Sequence, residues 1–228
     1  MILRFLGQSG YLLQSADCRI LIDPYLSDSV NRVAGRPRML PVPLTPEKLP
    51  CDAVFCTHNH LDHLDPDTAV QFPETQKFFT TAEGCEVLES LGRPNCTALK
   101  VGQPVTVGVF QVTPVFALHS TDAVGLIVQA EGYTLYFSGD TLYDERLFDV
   151  AKFQPDICLI CINGRLGNMD CDQALTTAKA IGAPVNIPNH YDMFASNSAD
   201  PHSFADRIPG GTILEFNRPY ALTELITK

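Results

Sequence analysis

No apolar stretch in this 228-residue chain approaches the 18 or so residues that a membrane-crossing helix needs, so a membrane protein is not expected. Basic residues are also scarce. Lys and Arg total 16 against 26 Asp and Glu, a net charge of −10. An acidic surface disfavours non-specific nucleic acid binding and anionic membranes. The opening "MILRFLGQSGYLL" lacks the basic n-region and small-residue cleavage site of a secretory leader, so it is expected to be a strand and the chain to be cytoplasmic. Low-complexity tracts and short tandem repeats are missing too. What remains, 45% hydrophobic and 18% charged, is the composition of a globular protein, expected to form one domain over residues 1–228.

The eight cysteines stand at 18, 51, 56, 85, 96, 158, 161 and 171. Without a leader they are expected to be free buried thiols. Cys158 and Cys161 form a C-x-x-C inside the apolar run "DICLICING". Residues three apart on a strand face opposite sides, which argues against a shared metal or redox role.

The chain opens with three apolar runs, "ILRFL", "GYLLQS" and "CRILIDP", separated by short turns, the pattern of an antiparallel meander. Residues 29–50 carry five of the 17 prolines and no clear periodicity, and are expected to be a long loop. "DAVFCTH" follows as a buried strand. Then comes a short helix with Asp65 as its N-cap and Pro66 at its first position, the strand "KFFTT", and the helix "AEGCEVLESLG", stopped by Gly92. The second half repeats this grammar. The strands "QPVTVGVFQVTPVFAL", "AVGLIVQA" and "YTLYFSGD" precede a helix near 144–152, the strand "DICLICI", the helix "DCDQALTTAKAIG", the strand "PVNIP", a helix near 201–207 and the strand "GTILEF". Two halves of this kind predict an α/β (α+β) architecture: two mixed sheets packed face to face with helices outside, a four-layer αββα sandwich.

Histidines are few, six in all, yet three fall within the nine residues "THNHLDHLD" at 57–65. His58 and His60, two apart on leaving a strand, can point to one side, and Asp62 and His63 follow a turn later. Imidazole nitrogens and a carboxylate are the donors of a divalent metal site, and packing alone does not account for this spacing. His119, Asp140 and His190 each end a predicted strand, so one sheet edge could gather them. His202, in "ADPHSF", is expected at a helix start rather than at a metal.

With its H-x-H-x-D-H motif at His58, His60, Asp62 and His63, and with His119 in "LHS", Asp140 in "SGDT" and His190 in "PNHYDMF", the chain resembles the metallo-β-lactamase fold superfamily. Within it, "GQSGYLL", "IDPYLSD", "ING" and "HYDMFASNSADPHSF" are most similar to the L-ascorbate-6-phosphate lactonase-like branch. The resemblance implies two divalent ions, zinc or manganese with iron possible. His58, His60 and His119 would hold the first, Asp62, His63 and His190 the second, and Asp140 would bridge them. It implies hydrolysis by a hydroxide shared between the ions, with Asp62 and Asp140 the catalytic carboxylates. Imidazole ligands need acceptors behind them, for which Asp23 and Asp65 are candidates, unless both simply cap turns.

The substrate is less legible. Arg32, Arg36 and Arg38 fit either a lid over an anionic substrate or an ordinary solvated loop. Arg165, Tyr191, Asp192 and Asn197 are further candidate contacts. The expected activity is hydrolysis of a lactone or ester of a small anionic, sugar-like metabolite. A phosphodiesterase or nuclease ranks lower because of the acidic charge, and a metal-stabilised metabolite-binding protein ranks lower because the ligand set is intact. A homo-oligomer is compatible with all three.

Overall fold

Alternation of side chains along each strand builds a layered molecule, and the computed structural model describes it for residues 1–226. Strands β1 (Ile2–Gly7), β2 (Gly10–Ser15) and β3 (Cys18–Ile22) form the expected antiparallel meander. β4 (Ala53–Phe55), β5 (Phe78–Thr80) and β6 (Cys96–Ala98) then add in parallel beside β3. The second sheet holds β7 (Val105–Val107), β8 (Phe110–Phe116), β9 (Val124–Ala130), β10 (Tyr133–Phe137), β11 (Ile157–Cys161) and β12 (Val185–Asn189). It is antiparallel from β7 to β10 and parallel from β10 to β12. A last short strand, β13 (Pro219–Ala221), pairs with β1 and gives the first sheet the order β13-β1-β2-β3-β4-β5-β6.

The period of two sorts the core. Ile20 and Ile22 of β3 point inward with Leu3, Phe5, Leu135, Phe137 and Leu159 to form the cluster between the sheets. Leu21, between them, faces outward and packs with Val54, Ala69, Phe72 and Leu88 under helices α2 (Pro66–Ala69) and α3 (Ala82–Ser90). On the other side, Tyr136, Cys158 and Ile160 face outward against Leu175, Ala178 and Phe204 of α4 (Cys171–Ile181) and α5 (His202–Ala205). This is the four-layer αββα sandwich. Burying each large apolar side chain stabilises the fold by about 1.5–3 kcal/mol.

Local signals set the helix ends. The Asp65 side chain accepts from the Asp67 N–H, and Pro66 opens α2. Asp170 and Gln173 form a reciprocal capping box on α4, and Gly182 closes it in the left-handed conformation.

Several expectations need correction. Residues 29–50 are not loop throughout. They contain α1 (Ser29–Ala34) and a single 3-10 turn at Pro46–Lys48. α1 buries only Ser29 and Val30, so six residues show no periodicity to read. The run 103–118 is two strands, turned at Gly108 with φ +55°. "GTILEF" is not a strand. Only Gly211 bridges β12, at Asn186, and the added strand comes later at β13. The helix near 144–152 is 3-10, Glu145–Phe153.

The cysteines differ most. Cys85 on α3 and Cys96 on β6 have Cα atoms 5.6 Å apart and form a disulfide. The step from thiols to a reducing compartment therefore loses its basis. Cys158 follows the strand alternation, but Cys161, at the strand's end, packs in the same outer layer. Burial pushes the Cys161 thiol up to about 12 and Cys158 higher still, the state of inert core thiols. No helix among the described residues is long and apolar enough to cross a membrane.

Candidate metal centre

Polar side chains collect where several strands end at one edge of the sandwich. β4 runs into the turn carrying His58, His60, Asp62 and His63. His119 follows β8, Asp140 follows β10, and His190 follows β12. The Val124 N–H donates to the Thr57 carbonyl at 3.0 Å and ties the first of these loops to the second sheet. Gly139, with φ +58°, lies so near Thr57 that a Cβ there would stand 2.9 Å from the Thr57 Cβ. That contact seats Asp140 against the His58 turn.

Three nitrogens meet on one side. His60 Nδ1 lies 3.0 Å from His58 Nε2 and 3.1 Å from His119 Nε2. Tetrahedral zinc with nitrogen ligands near 2.05 Å would space them about 3.3 Å apart. On the other side, Asp62 Oδ2 stands 3.7 Å from His63 Nε2 and 3.5 Å from His190 Nε2. Asp140 lies between. Its Oδ1 is 3.2 Å from His63 Nε2, and its Oδ2 is 3.2 Å from His190 Nε2 and 3.9 Å from His119 Nε2. The groups able to share an ion are His58, His60 and His119; His58, His63 and Asp140; and Asp62, His63 and His190. All seven residues are brought together. The donor chemistry fits a divalent ion for a further reason: His63 Nε2 and Asp140 Oδ1 are fully buried and face each other at 3.2 Å without a hydrogen bond of good geometry.

Partners behind the imidazoles aim them. His63 Nδ1–H donates to Asp23 Oδ2 at 2.8 Å. The Thr57 N–H and hydroxyl donate to the same carboxylate at 2.7 and 2.8 Å. The Thr57 oxygen, 3.0 Å from His58 Nδ1, can then accept from that ring. His119 Nδ1–H donates to the Gly167 carbonyl at 3.0 Å. Each bond fixes the Nδ1 side of its ring, so that Nε2, once free of a proton, would present its lone pair to an ion. Gly167 has φ +93°, and a Cβ on it would stand 2.9 Å from the His119 ring, so only glycine brings this carbonyl so close. Asp65 does none of this. It accepts from Ser27, Thr68 and the Asp67 N–H, and is a helix cap.

Burial depresses the His58 and His60 imidazoles, with neighbouring histidines adding to it. Burial pulls His190 down as well, but Asp140 and Asp62 more than offset it and hold it at about 9. His63 is raised on the same balance, against Asp140, Asp23 and Asp62. Burial pushes Asp62 and Asp140 up, yet the paired histidines leave both below the usual carboxylate range. The metal-free centre is thus a buried set of ion pairs. A cation entering at His190 Nε2 and His63 Nε2 must displace protons. Metal uptake near pH 7 is expected to release about two protons, read by calorimetry in buffers of differing ionisation enthalpy. The sign for stability follows. His190 is raised, so its contribution is present below about pH 6.5 and lost as pH climbs to about 9. From this group the metal-free melting temperature should fall across that window.

The candidate substrate residues scatter. Arg38 is committed to the fold. Its guanidinium donates to the carbonyls of Leu40, Ser27, Tyr25 and Pro41, and lies 4.9 Å from the centre of the Tyr25 ring. Arg32 pairs with Asp67 on the surface at 2.6 Å. Arg36 is exposed on the loop after α1. Two of the three arginines of this segment are thus engaged elsewhere, and Arg36 alone extends from the surface. Tyr191 packs on Phe5 in the core, and with Asp192 it lines a separate cavity of about 610 Å³ that none of the seven centre residues touches. His202, also on that wall, is exposed and starts α5. Asn197 is buried and accepts from Asn163. Asn163 in turn accepts from Asn168, so this chain of amides pins the loop 163–168 that carries Gly167. Arg165 sits on that loop, exposed, with one nitrogen on the Ser196 carbonyl. Sequence reasoning missed Thr57, Gly167 and Gln8, whose amide reaches Asp62 Oδ2 at 2.7 Å.

A family model described as "Beta-lactamase superfamily domain" matches residues 18–191. A UPF0173 metal-dependent hydrolase of Methanospirillum hungatei is 30% identical over 223 residues, covering 91% of this chain and 90% of the relative. Among solved structures, Igni18, a metallo hydrolase from Ignicoccus hospitalis, aligns with a TM-score of 0.79 at 23% identity, covering 96% of this chain and 97% of that one. An isothiocyanate hydrolase from Delia radicum gut bacteria aligns at 0.81 and 22%, covering 97% and 99%. At these identities the two structures share the fold.

Proposed function

The chain belongs to the beta-lactamase superfamily, among its UPF0173 metal-dependent hydrolases, and from that membership we propose a dinuclear hydrolase opening a lactone or ester of a small anionic metabolite. The observation that carries the dinuclear reading is the buried pair His63 Nε2 and Asp140 Oδ1, which face each other at 3.2 Å with no other polar partner for either atom meeting hydrogen-bond geometry, flanked by a histidine triad on one side and Asp62 and His190 on the other. His58, His60 and His119 would hold one ion, Asp62, His63 and His190 the other, with Asp140 between them. Zinc and manganese both suit such nitrogen and oxygen donors, and iron is compatible.

When bound, the ions make water acidic and polarise the attacked oxygen. The chain's own groups do the rest. Asp62 is the more open carboxylate, 17% exposed against 6% for Asp140, so it is the one placed to orient a water and take its proton. Asp140 holds His63 and His190 together. Tyr25, Met193, Phe194 and Leu61 form an apolar cluster beside the Asp62 turn that limits the entry of bulk water.

The anionic part of the reading rests on Arg165, whose guanidinium keeps free donors on the loop beside His119. Arg165→Ala is expected to raise KM about tenfold or more for a carboxylated or phosphorylated ester, and to leave a neutral analogue within about twofold. Equal effects on both would remove the anionic class. The wider test is a panel of lactones, esters, phosphodiesters and isothiocyanates with and without chelator. Chelator-sensitive opening of lactones or esters supports the reading. Turnover confined to phosphodiesters or isothiocyanates would replace it.

A further inference from the structure

We propose that Gln8 is a positioning residue for the second ion site, holding Asp62 and His190 at their spacing and so controlling whether that site fills. The proposal rests on the metal-hydrolase reading above. Gln8 lies in the β1–β2 turn, far in sequence from every candidate ligand, and is fully buried. Its Nε2 donates to Asp62 Oδ2 at 2.7 Å and stands 3.0 Å from His190 Nε2. Its main-chain carbonyl accepts from the His190 N–H at 2.8 Å. One residue therefore holds His190 by its backbone carbonyl and Asp62 by its side-chain amide.

The turn bears costs to put it there. Gln8 has φ +58°, a left-handed conformation that a non-glycine residue adopts at a penalty. The register of β1 against β2 shifts between Phe5 and Gly7 to admit it. Gly7 passes so close to Met193 that a Cβ would meet its methyl at 2.7 Å. The Gln8 Oε1 is buried without a partner. A residue kept only for packing would carry neither the strain nor a half-satisfied amide. An apolar side chain of similar length fills the same space without them. What the amide adds is a donor on Asp62 Oδ2, the oxygen that faces His63 and His190.

The test compares wild type with Gln8→Met, which keeps length and loses the donor, and with Gln8→Asn, which keeps an amide one methylene short and serves if the first variant does not fold. Zinc alone is titrated against a competing chelator. The imidazole ¹⁵N resonances of the metal-free proteins are recorded in parallel. The second ion is expected to weaken by about 10- to 100-fold while the first stays within about threefold, with the His190 ring signals displaced. Equal weakening of both ions, or unchanged affinities, would overturn the proposal. So would His190 resonances identical to wild type. The metal-free spectra judge Gln8 even if wild type binds no ion, an outcome that would instead sink the hydrolase reading.

Discussion

Asp140→Ala should abolish hydrolysis, with a fall of about 10³-fold or more in kcat/KM, and should lower the stability of the metal-free protein. Among the described residues, Asp140 is the carboxylate whose oxygens lie within 4 Å of His63, His190 and His119. The catalytic loss follows from that position. In the proposed dinuclear arrangement the two ligand sets then lose their common member, and several kcal/mol of charge stabilisation at the reacting centre would go with it. The stability loss has a separate cause. His63 and His190 are raised because Asp140 faces them. Removing it leaves two buried imidazolium groups short of a counter-charge, which costs about 3–5 kcal/mol until one loses its proton. Denaturant melts of chelated protein at pH 6 and pH 9 check this. The difference from wild type should shrink at pH 9, where His190 is losing its proton in the wild type as well. Asn at this position keeps the shape but not the charge, and should behave like Ala at pH 6.

Asp23→Ala should weaken both ions although Asp23 is itself a member of neither proposed ligand set. Its Oδ2 takes the Nδ1–H of His63, and its two oxygens together take both Thr57 donors, one of which backs His58. His63 belongs to the second set and His58 to the first, so the carboxylate aims one imidazole in each. Loss of such a partner lowers metal affinity by about 10- to 100-fold. It also strands the Thr57 N–H and the His63 Nδ1–H, both in fully buried residues. The expected outcome is parallel weakening of both ions in a chelator competition, with a lower melting temperature. This differs from the result expected for Gln8, where one ion alone weakens. An Asp23→Ala protein with unchanged metal affinity would mean that the rings are aimed by packing alone.

The legibility of this centre divides along physical lines. His58, His60, Asp62 and His63 could be read because four donors within six residues can only meet locally. His119, Asp140 and His190 could be read because each follows an apolar run, and strands of a layered sheet end at shared edges. Asp23 was reachable by the same logic, as the first residue after β3. Gln8 was not, since its importance depends on a left-handed turn that folds a hairpin tip under the His190 loop. The arginines, open to a lid or a solvated-loop reading in sequence, show the opposite case. Arg38 looked free in sequence, but the loop closes around it and its donors go to backbone carbonyls. Arg32 meets Asp67, which is 35 residues away. Donor chemistry survives from sequence to structure when the partners are local or lie at strand ends. Contacts made by long side chains across loops do not. The same limit hid the disulfide, because Cys85 and Cys96 become neighbours only once α3 packs beside β5 and β6.

The most direct test is the metal content of the purified chain, measured by elemental analysis together with hydrolysis before and after chelation. Two divalent ions per chain are expected, with activity lost on their removal and regained on adding zinc or manganese back. Hydrolysis that persists after the last ion is stripped, or a chain that takes up no divalent ion at all, would contradict the account.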